Sequence, residues 1–409
     1  MKNVYTKLVF MCLFSLAFSG YGQWTESGAS KATITRALAT NGNVIFAGTD
    51  DGMFRSVNNG ASWTAINNGL TKDTVLSIVV MDSSVFIGTL HSGVFQTTNN
   101  GNSWYTKNNG LPRDSLDPQS FCSINSFSKS GGTVVAGIFQ KGVFVSKDNG
   151  TSWASMNTGL TNLNVTSLIT SGNNIFSGTG LGGGIFLSSN AGTTWTKANS
   201  GLIYIRGMVY SVLSLLATDN NLFAVTLSGG IYSSKNNGIS WVSANSGLST
   251  NNIFSLFSYS NNLFAGTDLN GVFVSSNNGS SWTGFSGGLP ETRAVLCFCV
   301  SQGTLFAAVY GEGVWKRQLL DEKTNLTSVT LQKKLKGSIS ASSGILRYTV
   351  PADGLVSIKY YNLEGKLLAS LVNHSQNAGN YAIGMPVLPK GFYIQDFRAG
   401  DFTQKDRVN

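Results

Sequence analysis

One octapeptide, Ser/Thr-x-Asx-x-Gly-x-Ser/Thr-Trp, recurs six times, and that recurrence limits what the chain can become more than any other feature. The copies are SVNNGASW (56–63), TTNNGNSW (97–104), SKDNGTSW (146–153), SSNAGTTW (188–195), SKNNGISW (234–241) and SSNNGSSW (275–282). With the earlier Trp24, tryptophans fall at 24, 63, 104, 153, 195, 241 and 282. An aromatic residue precedes each of the last six by nine positions: Phe54, Phe95, Phe144, Phe186, Tyr232 and Phe273. Upstream of each lies an FAGT-like strand, and upstream again an alternating strand such as VLSIVV. Each unit of about 40 residues therefore reads strand, turn, strand, turn, strand, tight turn, strand, which is one four-stranded propeller blade. Such a blade is apolar on both faces and needs neighbours to bury them.

The ends of the repeat indicate how the ring shuts. Residues 293–318 supply three strands and no octapeptide, whereas Gln23-Trp24-Thr25 reads as a fourth strand with nothing before it. The expectation is an all-β, seven-bladed β-propeller over 23–318, in which the N-terminal strand closes the last blade and removes a free sheet edge. Aligned on the FAGT element, the innermost strands place Ala37, Ser77, Ser126, Ser167, Ser214, Ser255 and Cys297 at one position. All are small, as crowding near an axis demands.

Residues 1–22 read as a secretory signal peptide, with Lys2 and Lys7 before an apolar stretch from Leu8 to Phe18 and small residues after it. Charged residues make up only 11% of the chain. Of the formal +9, the stretch from 319 onward holds eleven Lys or Arg against seven Asp or Glu, and the leader holds two lysines. The +3 left on the body is too dilute for a nucleic-acid groove. Cys122, Cys297 and Cys299 lack metal-ligand spacing and read as small buried hydrophobes, so neither a metal nor another cofactor is expected.

The octapeptide resembles the Asp-box, or BNR repeat, of sialidase-like and sortilin-like propellers. Physically it is a turn. Its Asx bonds nearby backbone N–H groups, its Gly accepts positive φ, and its Trp buries a flat surface beside the hairpin. Only one copy carries an acid, Asp148; the others have Asn58, Asn99, Asn190, Asn236 and Asn277. Catalysis needs the ionised form and a turn accepts either, so these residues, with Trp63, Trp104, Trp153, Trp195, Trp241 and Trp282, are read as structural. In such propellers these turns lie opposite the ligand mouth, which is built from second-to-third-strand loops and blade-to-blade loops. Long Trp spacings add material to the mouth at 107–120 and near 202–208. Ligand-binding candidates there are Asp50, Asp51, His91, Arg113, Lys141, Arg206, Asp268 and Glu312.

The sialidase pattern is incomplete, because no Arg-Ile-Pro stretch occurs. The repeats also resemble photosystem-assembly and xyloglucan-degrading propellers, but the latter use two propellers and this chain has one. No catalytic residue is assigned. The leading expectation is a non-enzymatic propeller that binds a glycan or an extracellular protein at its mouth. The alternative is a sialidase-like or xyloglucanase-like glycoside hydrolase using two mouth carboxylates.

Residues 319–338 read as a linker. Residues 339–409 read as a small antiparallel β-sandwich with hairpins at Leu363-Glu364-Gly365 and Ala399-Gly400-Asp401. The runs VSIKYYNLEGKLLASLV, NAGNY and LPKGFYIQDFRAGDFTQK resemble the C-terminal sorting domain of the type IX secretion system of Bacteroidetes-like bacteria. That resemblance implies export by the type IX machinery to the medium or the outer cell surface, with membrane association only through surface anchoring.

Overall fold

A computed structural model describes residues 23–28, 33–205, 208–219, 221–319, 338–342, 345–350, 354–377, 379–388, 392–399 and 402–408. The leader 1–22 and most of the linker lie outside these residues, as does Arg206. The chain falls into two compact units, Met1–Leu320 and Asp321–Asn409.

Among the described residues, the first unit contains seven four-stranded antiparallel sheets. In the first of them, Thr35–Asn41, Val44–Thr49, Gly52–Ser56 and Thr64–Ala65 follow one another outward from the axis. The innermost strand of each sheet packs on that of the next, and Thr35–Asn41 packs on Val295–Ser301 to close the ring. Second strands are covered on both faces and so are mostly apolar; Phe46, Phe86, Phe176, Phe223, Phe264 and Phe306 are all fully buried there. Outermost strands are only two residues long and exposed, as in Thr64–Ala65, which leaves little edge for another chain to pair with.

The last sheet is completed from the start of the chain. Thr25 pairs with Lys316 and Glu26 with Trp315, so Thr25–Glu26 is the fourth strand outside Gly313–Gln318. Trp24 is buried against Phe285, with ring centroids 6.3 Å apart.

Seven tryptophans make seven equivalent joints. Each indole N–H donates to the carbonyl of the residue just past the outer strand of the preceding sheet. The pairs are Trp24 to Phe285, Trp63 to Ser27, Trp104 to Ile66, Trp153 to Lys107, Trp195 to Met156, Trp241 to Ala198 and Trp282 to Ala244, at 2.7–2.8 Å. The backbone N–H of six of them adds a second bond to the same preceding sheet, as in Trp104 to Asn68 O and Trp24 to Gly287 O. The NNGL-type segments supply these acceptors. A Cβ on Gly69, whose φ is +86°, would stand 2.3 Å from the Trp104 carbonyl oxygen, so only glycine fits. The tryptophans thus tie sheet to sheet, a role beyond the bracing of their own hairpins that the sequence suggested.

Within the octapeptide the bonding is wider than a one- or two-residue Asx turn. Asn58 Oδ1 accepts from the Ser62 backbone N–H, four residues on, and from Ser56 Oγ; that hydroxyl in turn accepts from the Gly60 N–H. Asp148 makes the same bonds to Ser146 and Ser152. These bonds hold the Asp148 carboxyl at about 2, below its usual value, with Ser152 the largest contributor. The residue before the glycine also takes positive φ, between 52° and 57°, at Asn59, Asn100, Asn149, Ala191, Asn237 and Asn278. Asn suits that conformation; Ala191 does not.

The seven small inner residues do align, each just past a β-bulge such as that between Thr35 and Ala37. Crowding is half the reason for serine there. Ser77 and Ser255 donate to Ile124 O and Val295 O of the next sheet, and Ser167 accepts from Leu215 N–H. Burial pushes the Cys297 thiol up to about 12 and Cys299 well above its usual value, so both are inert protonated thiols.

The second unit is a sandwich of two antiparallel sheets. One runs Ser338–Ser342, Ile345–Val350, Gly379–Gly384; the other Leu367–Gln376, Gly354–Tyr361, Tyr393–Ala399, Phe402–Val408. Leu346, Tyr348 and Val350 from the first meet Val356, Ile358, Tyr360 and Phe397 from the second in one core.

Candidate functional site

Strand direction sorts the loops of the propeller onto two faces. Inner strands begin where second strands end, because Thr35 pairs with Thr49, so blade-to-blade loops and second-to-third-strand loops share one face. The octapeptide hairpins and the first-to-second-strand turns share the other. Both long spacings add material to the mouth: 107–123 forms a folded loop, and the second insertion forms a hairpin of Tyr204–Ile205 with Met208–Val209.

Four mouth carboxylates, Asp50, Asp51, Asp268 and Glu312, each take a partner close by. Arg36 pairs with Asp50 through two bonds, and Lys72 Nζ lies 3.1 Å from Asp51. Asn252 Nδ2 donates to Asp268 Oδ2 at 2.9 Å, and Arg293 Nε lies 3.5 Å from Glu312 Oε1. Among the described residues no cluster of three His, Cys, Asp or Glu side chains is placed to hold a metal.

The most thoroughly built acid of this face is one the sequence reading passed over. Asp73 Oδ2 accepts from the backbone N–H groups of His91 and Ser92, both at 2.8 Å, and Oδ1 accepts from Thr74 N–H at 2.8 Å. Burial opposes its ionisation, but these bonds outweigh burial and hold its pKa below the usual carboxylate value. His91 Nδ1 lies 3.4 Å from Asp73 Oδ1, so the imidazole is oriented by an acid two strands away. The only signal in the sequence was an Asp placed just before an inner strand.

The first insertion folds on itself. The Arg113 guanidinium stacks 3.7 Å over the Phe121 ring and donates to Gln119 O. Asp114 accepts from Leu116 N–H, and Asp117 accepts from Gln119 N–H and Ser120 Oγ. Lys141 reaches across from the third sheet to Ser115 Oγ at 3.0 Å.

What distinguishes the mouth is apolar. Fourteen large hydrophobic side chains of the described propeller residues are exposed, and ten lie on this face. Phe139, Leu181, Leu227, Leu269 and Tyr310 stand in second-to-third-strand loops; Leu116, Leu163, Ile203 and Met208 stand in blade-to-blade loops; Phe254 sits at an inner-strand bulge. The opposite face shows Val57 and Ile239, and outer strands show Tyr105 and Val242. The Leu227 loop was absent from the sequence-based outline of the mouth.

Leu181 is the sharpest case. It is 72% exposed and holds φ at +51°, a conformation that bulky side chains rarely adopt. Gln140 and Ser228 take the same conformation in the neighbouring second-to-third-strand loops.

No family model matches this chain, and no curated protein matches it. Among solved structures it is similar in fold to YCF48 bound to D1 peptide, with a TM-score of 0.58 and 14% identity over 74% of this chain and 98% of that one. It is also similar to the extracellular domain of a hybrid two-component system from B. thetaiotaomicron, with a TM-score of 0.57 and 16% identity. That match covers 94% of this chain and 56% of the other. The WD40 propeller domain of Doa1 matches with a TM-score of 0.54 and 15% identity over 75% and 99%. At these identities the likeness concerns the propeller fold.

Proposed function

We propose that this chain is a secreted or cell-surface propeller that binds a polypeptide at its mouth, with no chemistry of its own. The exposed apolar side chains gathered on one face carry the proposal. Aliphatic residues such as Leu163, Leu181, Met208 and Leu227 match the apolar patches by which proteins bind proteins. Seven of the ten exposed apolar residues of this face are Leu, Ile or Met and three are rings, Phe139, Phe254 and Tyr310, a balance that favours protein over glycan. The carboxylates a glycosidase needs are each engaged locally, which supports a binding role over hydrolysis. The YCF48 structure, solved with a D1 peptide, is an instance of this fold holding a polypeptide.

The leader-like start and the resemblance of the tail to type IX sorting domains support delivery to the medium or outer surface through that machinery. The octapeptides serve as Asp-box-like joints in this reading.

Selection of a random-peptide display library on the full chain tests it. Apolar peptides should be enriched and should lose about tenfold in affinity on Leu181→Asp, with no change on Ile239→Asp of the opposite face. Peptide binding indifferent to both Leu181→Asp and Leu227→Asp would overturn the proposal.

A further inference from the structure

The exposed apolar residues of the third, fourth and fifth sheets form one connected arc. Lys141, whose ammonium meets Ser115 Oγ, lies two residues from Phe139 and joins it to Leu116. The next backbone N–H, that of Gly142, donates to Leu163 O at 3.0 Å. Asn162, beside Leu163, donates to Gly180 O at 3.0 Å, next to Leu181. Leu181 N–H donates to Ser211 Oγ, and Gly182 packs against Met208 so closely that a Cβ there would stand 2.9 Å from its sulfur. Leu227 N–H donates to Ser211 O at 2.8 Å. Six successive loops are thus linked from Leu116 to Leu227.

Charge is divided along the mouth. The described loop residues over the arc, from Phe139 to Gly229, contain one charged side chain, Lys141. The remaining sectors of the mouth carry Asp268, Glu291, Glu312, Asp50, Asp51 and Asp73 against Arg36, Lys72 and Arg293, an excess of acid. Of the acids beside Leu116, Asp114 Oδ1 accepts from Leu116 N–H, and Asp117 accepts from Gln119 N–H and Ser120 Oγ, all within their own loop. Arg113 is likewise committed to Gln119 O and Phe121. One hydrogen bond, to Ser115 Oγ, occupies Lys141, and an ammonium has three N–H donors.

We infer that the arc takes an extended apolar peptide segment bearing a carboxylate at the end nearest Leu116, and that Lys141 receives the carboxylate. Acid-bearing apolar segments are preferred because the described arc loops from Phe139 to Gly229 offer a cation and no anion, while basic segments are drawn to the acidic sectors and away from the arc. The polar groups between the apolar side chains, Ser211 and the exposed Ser228, provide partners for a peptide backbone, which a hydrocarbon chain would leave unused.

This inference rests on the mouth-binding proposal, and its test separates the two. The probes are fluorescein-labelled Leu/Ile-rich dodecapeptides with one Glu near an end, and twins with Gln or Lys in its place, titrated against the full chain by anisotropy. The Glu peptide should bind about fivefold more tightly than its Gln twin, the scale of a partly solvated ion pair. Lys141→Gln should erase that difference, and the Lys twin should bind weakest. Equal affinity for Glu and Gln twins, with all peptides weakened by Leu181→Asp, would overturn the inference and leave mouth binding intact. Peptide affinities indifferent to Leu181→Asp would overturn both. Vesicles of phosphatidylcholine and phosphatidylglycerol that displace the peptide in a Leu181-dependent manner would assign the arc to lipid and overturn the inference.

Discussion

The indole N–H of Trp24 donates to the carbonyl oxygen of Phe285 at 2.8 Å, across 261 residues of sequence. It is the same bond that six other tryptophans make to the sheet before them, and here it joins the first strand of the chain to the sixth sheet. Trp24→Phe keeps the buried ring and removes this donor, leaving the Phe285 carbonyl to the Arg317 guanidinium alone. Unfolding in denaturant should show a loss of about 0.5–1.5 kcal/mol. Trp24→Ala should cost more, about 3–5 kcal/mol. An unchanged midpoint in both would mean that the N-terminal strand does not hold the ring.

Ala191 occupies the left-handed position that five other hairpins give to Asn. Ala191→Gly or Ala191→Asn should stabilise the protein by about 0.5–1 kcal/mol, read as a raised melting temperature. The reverse change, Asn237→Ala, should destabilise by a similar amount.

Asp148 titrates at about 2 because the fold favours its carboxylate form. Its contribution to stability is therefore full above about pH 4 and is lost as pH falls toward about 2. Asp148→Asn should fold normally, as the five natural Asn copies do, and its stability should fall less steeply than wild type across that window. A steeper fall in the variant would contradict the assignment.

Asp73 holds the His91–Ser92 loop by its backbone. Asp73→Ala removes the acceptor of the His91, Ser92 and Thr74 N–H groups, of which Ser92 alone keeps another, Thr89 Oγ1; it should cost about 1–3 kcal/mol, with faster amide exchange at His91 and Thr74. Asp73→Asn should recover part of the loss.

Much of this fold was legible because repetition multiplies weak signals. One Asx-x-Gly turn says little, but six at matched spacing, each ending in a Trp nine residues after an aromatic, fix a blade. The closure by Gln23–Thr25 was readable because the last repeat lacks a fourth strand and the first segment is one. The binding face was harder. Asp73 looks like any loop acid until its backbone donors are seen. The apolar arc is built from single residues, Phe139, Leu163, Leu181 and Leu227, each unremarkable in its own loop. They become neighbours only when the ring stacks successive blades side by side. Arg206, a candidate from the sequence, lies outside the described residues.

The mouth carboxylates carry a prediction of their own. With Asp50, Asp268 and Glu312 held by Arg36, Asn252 and Arg293, the purified chain should not hydrolyse chromogenic glycosides. Turnover abolished by Asp268→Asn and Glu312→Gln would reinstate the hydrolase alternative.

The claim that binding belongs to the apolar face is tested most directly by covalent mapping. A benzophenone side chain is placed at Leu227 on the mouth or at Ile239 on the hairpin face, and each variant is irradiated with a selected apolar peptide. Adducts at Leu227 and none at Ile239 are the predicted result. Adducts at Ile239, with Leu227 unlabelled, would contradict it.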